Sequence, residues 1–152
     1  MLIALGCDHG GYIFKEPLIK FLGSLNHKVI DCGCFSPESC DYTDFAVPVA
    51  QYVGKKKCER GILICGTGVG MSIAANKVYG VRAAVCYCDD VAKLVAEHNN
   101  ANILCLSGRF AGREDVFRWT KIWLETPFSS EDRHRRRVEK IVEIDRKFRN
   151  KT

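Results

Sequence analysis

No stretch of this chain approaches the roughly 20 consecutive apolar residues that a membrane span needs, so no membrane segment is expected. Asp8 and His9 arrive too early for a secretory apolar region with a cleavage site, and a cytoplasmic protein is the expectation. The chain also lacks any Cys-x-x-Cys pair. Its two Cys-x-Cys pairs, 32/34 and 86/88, do not have the usual zinc spacing, so no metal is expected. There is no linker, repeat or low-complexity segment, and 152 residues are enough to bury a core without staples, so a single domain over residues 1–152 is predicted. Neither the P-loop lysine and serine pair nor the dinucleotide fingerprint occurs in its usual form.

Cysteine itself is plentiful, with nine residues, an odd number that argues against a closed disulfide framework. Cys7, Cys32, Cys65 and Cys86 end apolar runs, which reads as strand filler in a reducing compartment. Cys65 alone has distinctive neighbours. It closes the run Ile62-Leu-Ile-Cys65 and leads into Gly66-Thr-Gly-Val-Gly70, a turn whose amides are left bare, followed by a helical pattern over 71–77. Amides at the start of a helix favour an anion or a developing oxyanion. A buried structural thiol beside a tight turn, or a nucleotide-binding turn, would carry the same spacing.

Net charge is +5, and residues 131–152 supply +4 of it, from nine Lys or Arg against five Asp or Glu. The cluster Arg133-His-Arg-Arg-Arg137 could serve nucleic acid, a solvated helix face or a phosphate; without aromatic interleaving, nucleic acid ranks last and no nucleic-acid partner is expected.

Short apolar runs at 2–7, 28–32, 61–65, 81–86 and 102–106 alternate with helical patterns, the first of which places Ile13, Phe14, Leu18, Phe21, Leu22 and Leu25 on one face. Pro17 fits that helix only in its opening turn. Further helical patterns cover about 44–54, 89–99 and 114–125. The prediction is an α/β fold, a Rossmann-like three-layer αβα sandwich on a five-stranded parallel sheet. A last amphipathic helix over about 134–148, with Val138, Ile141, Ile144 and Phe148 near a 3.5-residue period, has no sheet face left to cover and is expected to extend to a dimer partner. Active sites of such sheets lie beyond the carboxyl ends of the strands. Asp8-His9-Gly-Gly11, Asp41-Tyr-Thr-Asp44, Cys65 to Gly68 and Ser107-Gly-Arg109 fall there, and His9, His98 and His134 lie in polar contexts suited to acid–base work.

Five ordered motifs, Gly6-Cys-Asp-His-Gly-Gly11, Asp41-Tyr-Thr-Asp-Phe-Ala46, Gly61 through Lys77, His98-Asn-Asn-Ala-Asn102 and Arg133-His-Arg-Arg-Arg137, resemble the ribose-5-phosphate isomerase B family, also called the RpiB/LacA/LacB sugar-phosphate isomerases. The resemblance runs from residue 1 to about 145. It implies an aldose–ketose isomerase that interconverts D-ribose 5-phosphate and D-ribulose 5-phosphate through a cis-enediolate, in the pentose phosphate pathway, with neither metal nor cofactor. By that resemblance Cys65 is the base between C2 and C1, and Thr67 helps move protons between the oxygens. His98 opens the furanose ring, while Asp8 and Asn99 hold hydroxyls. Gly66, Gly68, Val69 and Gly70 present amides to the enediolate, and His9, Arg109, Arg133 and Arg137 hold the phosphate. The family's site is shared in a homodimer, and pairing into a tetramer stays open.

Two departures stand out. Glu131-Asp132 precede Arg133 where many members have small residues, and Ala74 stands where some relatives carry a carboxylate base. A six-carbon sugar phosphate such as allose or galactose 6-phosphate is the alternative substrate. A non-catalytic sugar-phosphate sensor, or a redox thiol protein with Cys7 resolving Cys65, are the alternatives from other classes.

Overall fold

The computed structural model describes residues 1–149; the last residues of the predicted 1–152 domain, 150–152, lie outside the described residues. The strands are β1 (Leu2–Cys7), β2 (Lys28–Asp31), β3 (Arg60–Cys65), β4 (Ala83–Val85) and β5 (Ile103–Ser107). The helices are α1 (Tyr12–Ser24), α2 (Tyr42–Gly54), α3 (Val69–Ala75), α4 (Asp89–Glu97), α5 (Arg113–Glu125) and α6 (Asp132–Arg149). All strand pairings are parallel, in the order β2-β1-β3-β5-β4.

The period of two along the central strands divides the core into two layers. Ile3, Leu5, Ile62, Ile64, Leu104 and Leu106 face one way and pack with Phe14 and Leu18 of α1, Val95 of α4, and Trp119 and Trp123 of α5. Ala4, Leu63, Cys65, Ile103 and Cys105 face the other way, against Val49 and Val53 of α2 and Met71 of α3. Strands covered on both faces can be apolar along their whole length, which is why they read as continuous runs.

From β1 the chain moves to β2 at one edge, whereas from β3 it moves past β5 to β4 at the other. The direction of winding therefore reverses between β1 and β3, and a crevice opens above their carboxyl ends. Asp8 follows β1 and Cys65 ends β3.

Two details of α1 differ from the sequence reading. Pro17 sits in the sixth position of the helix, past its opening turn. The carbonyl it leaves without an amide partner is that of Ile13, a residue 70% exposed and free to meet water. Ile13 accordingly lies off the buried face, which Phe14, Leu18 and Leu22 form.

Cys7, Cys34, Cys58, Cys86 and Cys105 are buried as core filler, Cys65 is buried at the end of β3, and all nine cysteines are free thiols. Burial pushes the Cys86 thiol up to about 12 and that of Cys32 up to about 11. Cys7 lies beside Cys34, with their sulfurs 3.8 Å apart. It packs in the layer opposite Cys65, because β1 pairs Cys7 with Ile64, one residue out of step. The pairing of Cys7 with Cys65 required by a redox reading is absent.

Candidate active site

Three loops meet above β1, β3 and β5, and backbone bonds lace them together. The Asp8 amide donates to Ile64 O at 3.1 Å, the Gly108 amide to Cys65 O at 2.8 Å, and the Arg109 amide to Gly66 O at 3.2 Å. Ser107 Oγ adds a bond to Gly66 O at 2.7 Å. Gly11 lets the first loop close on β3, since a Cβ there would sit 2.5 Å from Ile64 O. Asp8, nearly buried, folds its own turn by accepting the amides of Gly10 at 2.8 Å and Gly11 at 3.2 Å on Oδ1.

Cys65 is 4% exposed and its sulfur accepts the Gly68 amide at 3.1 Å. Gly68 has φ +80, a left-handed conformation that an L side chain rarely adopts, and it turns that amide back onto the sulfur. The donor comes from the turn itself. α3 runs only from Val69 to Ala75, so its dipole adds little beyond the amides of its first turn. Thr67 Oγ1 accepts the Val69 amide at 3.2 Å.

The cleft around Cys65 has a volume of about 220 Å³ and is lined by Asp8, His9, Tyr42, Cys65, Gly66, Thr67, Gly70 and Arg109. Seven of these eight were singled out from sequence. Tyr42 was not, although it belongs to the Asp41–Asp44 segment assigned to this end of the sheet. Its ring closes over Gly70, where a Cβ would lie 2.7 Å from it. The Arg109 guanidinium lies across Gly66 in the same way, with Nε 3.2 Å from a Cβ built there. His9 Nδ1 accepts the Cys40 amide at 3.3 Å, so the neutral ring carries its proton on Nε2.

His98, Asn99, Arg133 and Arg137 do not line this cleft in the single chain. Asn99 borders a separate hollow of about 350 Å³ with Arg82 and Ile141. His98, just past α4, stacks on His134 of α6, with ring centroids 4.0 Å apart and planes 11° from parallel. Arg133 is held by Glu131, Nε to Oε2 at 2.7 Å, and Arg135 by Asp132. Glu131 and Asp132 thus pair with the basic cluster. Among the described residues, no helix is long and apolar enough to cross a membrane.

The ribose/galactose isomerase family model matches residues 3–141. Ribose-5-phosphate isomerase B of Escherichia coli is 42% identical over 145 residues, covering 95% of this chain and 97% of that protein. The solved ribose-5-phosphate isomerase B of Clostridium thermocellum superposes with a TM-score of 0.94 at 47% identity, covering 97% of this chain and 99% of that one. The structure from Mycoplasma genitalium, with ribulose-5-phosphate bound, gives a TM-score of 0.92 at 39% identity, covering 95% and 96% of the two chains. With residues 3–141 matched by the family model and nearly its whole length covered by its relatives, the chain belongs to the ribose/galactose isomerase family.

Proposed function

We propose that this chain is an aldose–ketose isomerase that interconverts D-ribose 5-phosphate and D-ribulose 5-phosphate by proton transfer. The observation that carries the reading is a sulfur facing a backbone donor at the floor of a polar cleft, Cys65 with Gly68 N–H at 3.1 Å. The Cys65 thiolate removes the C2 proton of the open-chain aldose, the C1=O π electrons move to O1, and a cis-enediolate forms. Returning the proton to C1 gives the ketose, while the proton on oxygen passes between O2 and O1 with Thr67 beside it. Negative charge grows on the two oxygens during this exchange. We assign the amides of Gly66 and Gly70 to these oxygens, because the Gly68 amide already meets the sulfur and the Val69 amide already meets Thr67 Oγ1; fixed donors of this kind stabilise such charge without reorganising. Asp8 and Asn99 hold sugar hydroxyls, and no metal or cofactor takes part in these steps.

His9 and Arg109 both line the cleft, Arg109 with its guanidinium across Gly66, and suit a phosphate dianion, Arg109 through its planar fork. The remaining assigned groups, His98, Asn99, Arg133 and Arg137, complete the cleft of a second copy. The exposed Val69 and Ile73 on α3, and Ile141, Ile144 and Phe148 on α6, give that copy an apolar surface to bury. A homodimer with shared sites is therefore the working form. His98 then serves as the acid that protonates the furanose ring oxygen and releases the carbonyl. The chain works in the cytoplasm, within the pentose phosphate pathway.

The test is conversion of D-ribose 5-phosphate with excess chelator present, for wild type and Cys65→Ala, followed by allose 6-phosphate. Turnover of the pentose by wild type, with loss of about a thousandfold or more in the variant while binding persists, supports the reading. A wild type inert towards both sugars leaves the sensor reading in its place, and preference for allose 6-phosphate moves the substrate to six carbons.

A further inference from the structure

His134 has no part in the proton transfer or the phosphate grip, yet among the described side chains of α6 it is the most deeply buried ionisable one, at 2% exposure. Its Nε2 accepts from Arg133 Nε at 3.2 Å. A guanidinium can only donate, so Nε2 presents its lone pair and the neutral ring carries its proton on Nδ1. Nδ1 has no hydrogen-bond partner. A buried polar atom left unsatisfied is uncommon, and it calls for a reason other than stability.

The reason lies on the ring's face. The imidazole of His98 stacks on it, centroids 4.0 Å apart at 11°. Two imidazolium rings at that separation repel, so one of the pair must stay neutral if the other is to carry a proton. His134 is the one held neutral. Burial and the nearby His98, Arg133 and Arg137 push its pKa below the usual histidine value, against a smaller opposing pull from Glu131, whose Oε2 lies 3.9 Å from Nε2. His98 is the more exposed of the two and faces Glu97, Nε2 to Oε2 at 3.8 Å. Arg133 and Glu131 are the charged groups that meet the His134 edge, and Glu97 is the one that meets His98.

We propose that His134 is a positioning residue for His98: its sealed neutral ring backs the His98 imidazole face to face and fixes the plane from which His98 delivers a proton to the ring oxygen of the cyclic sugar phosphate. The inference rests on the isomerase reading above. It assigns His134 to ring opening alone and not to transfer between C2 and C1.

D-ribulose 5-phosphate cannot close a furanose ring, because its O5 is esterified, so the two directions of the reaction separate the steps. The full-length protein is assayed as wild type, His134→Asn and His134→Phe, forwards from ribose 5-phosphate and backwards from ribulose 5-phosphate. Asparagine removes the ring, whereas phenylalanine keeps a flat ring without the nitrogens. The expected result for His134→Asn is a forward kcat lower by roughly tenfold or more, part of the 10²–10⁴ that a positioned general acid supplies, with the reverse kcat and both KM values within about threefold of wild type. His134→Phe is expected to restore the forward rate to within about threefold of wild type. Equal losses in both directions, an unaffected His134→Asn, or a His134→Phe as slow as His134→Asn would overturn the proposal. Proton NMR of the His98 ring gives an independent readout. Its ring-current shift is expected to persist in His134→Phe and to vanish in His134→Asn, and its persistence in His134→Asn would overturn the stack. A wild type inert in both directions sinks the isomerase reading instead, with the NMR result still deciding whether His134 holds the His98 ring.

Discussion

The Gly68 amide points back at the Cys65 sulfur across 3.1 Å, and the left-handed turn at Gly68, φ +80, is what aims it there. An N–H donor favours negative charge on the atom that accepts it. One glycine therefore links the backbone conformation of the loop to the donor that meets the sulfur.

Gly68→Ala is expected to cost stability and activity together. An L side chain in the left-handed region costs about 1–2 kcal/mol. The new Cβ would also lie 3.2 Å from Leu106 C and O, backbone atoms that cannot swing away. Thermal melting should show the loss, and kcat should fall further than the melting shift alone accounts for. A variant with wild-type kcat would show that the amide on the sulfur does not matter.

Glu131→Gln addresses the ion pair that holds Arg133. Glu131 Oε2 lies 2.7 Å from Arg133 Nε, an ion pair that competes with any phosphate that Arg133 is to hold. Removing the carboxylate charge is expected to lower KM for ribose 5-phosphate by about two- to fivefold, the scale of an exposed ion pair, with kcat little changed. A higher KM would mean that Glu131 orients Arg133 for the substrate.

Lys15 is the charged side chain that α1 buries. It is 3% exposed and its ammonium meets Asp31 Oδ2 at 2.7 Å, with Asp31 28% exposed. Asp31 also accepts the Gly33 amide on Oδ1 at 2.9 Å. Asp31→Asn is expected to destabilise by about 2–3 kcal/mol, less than the 3–5 of a fully sealed pair because water still reaches the carboxylate. Lys15→Met should cost less, since it leaves no buried charge. Urea denaturation of the two variants checks the order, and the reverse order would contradict it.

Stability should also respond to acid through His134. Its pKa in the folded protein lies below the ordinary histidine value, so the unfolded chain takes up a proton that the folded chain refuses. The folded state keeps the full benefit above about pH 6.5 and loses it progressively as the pH falls below that value. Melting temperatures between about pH 7.5 and about pH 5 should fall less steeply for His134→Phe than for wild type. Parallel curves would mean that His134 takes its proton in the folded state as readily as in the unfolded one.

The sheet was legible because its central strands β1, β3 and β5 are buried on both faces. Runs such as Ile62-Leu-Ile-Cys65 and Ile103-Leu-Cys-Leu106 stay apolar through every residue and stop at polar turns. Local chemistry also located the loops beyond the strands, since Asp8 follows β1 directly, Cys65 ends β3, and Gly68 and Arg109 lie within three residues of the ends of β3 and β5. It misjudged α1, where Pro17 is tolerated because Ile13 is exposed, a fact about packing that helical periodicity does not carry.

Strand order, and with it the crevice between β1 and β3, belongs to the tertiary structure alone. So do the ring of Tyr42 over Gly70, the separation of Cys7 from Cys65 onto opposite faces, and the stack of His134 on His98. The sequence by itself determined the alternating α/β pattern, the glycine turn after Cys65 and the basic start of the last helix, because each arises from neighbours along the chain. Which of those pieces touch was decided only when the helices buried their apolar faces on the sheet, since contacts between residues far apart in sequence follow from shape and burial and leave no local periodicity to read.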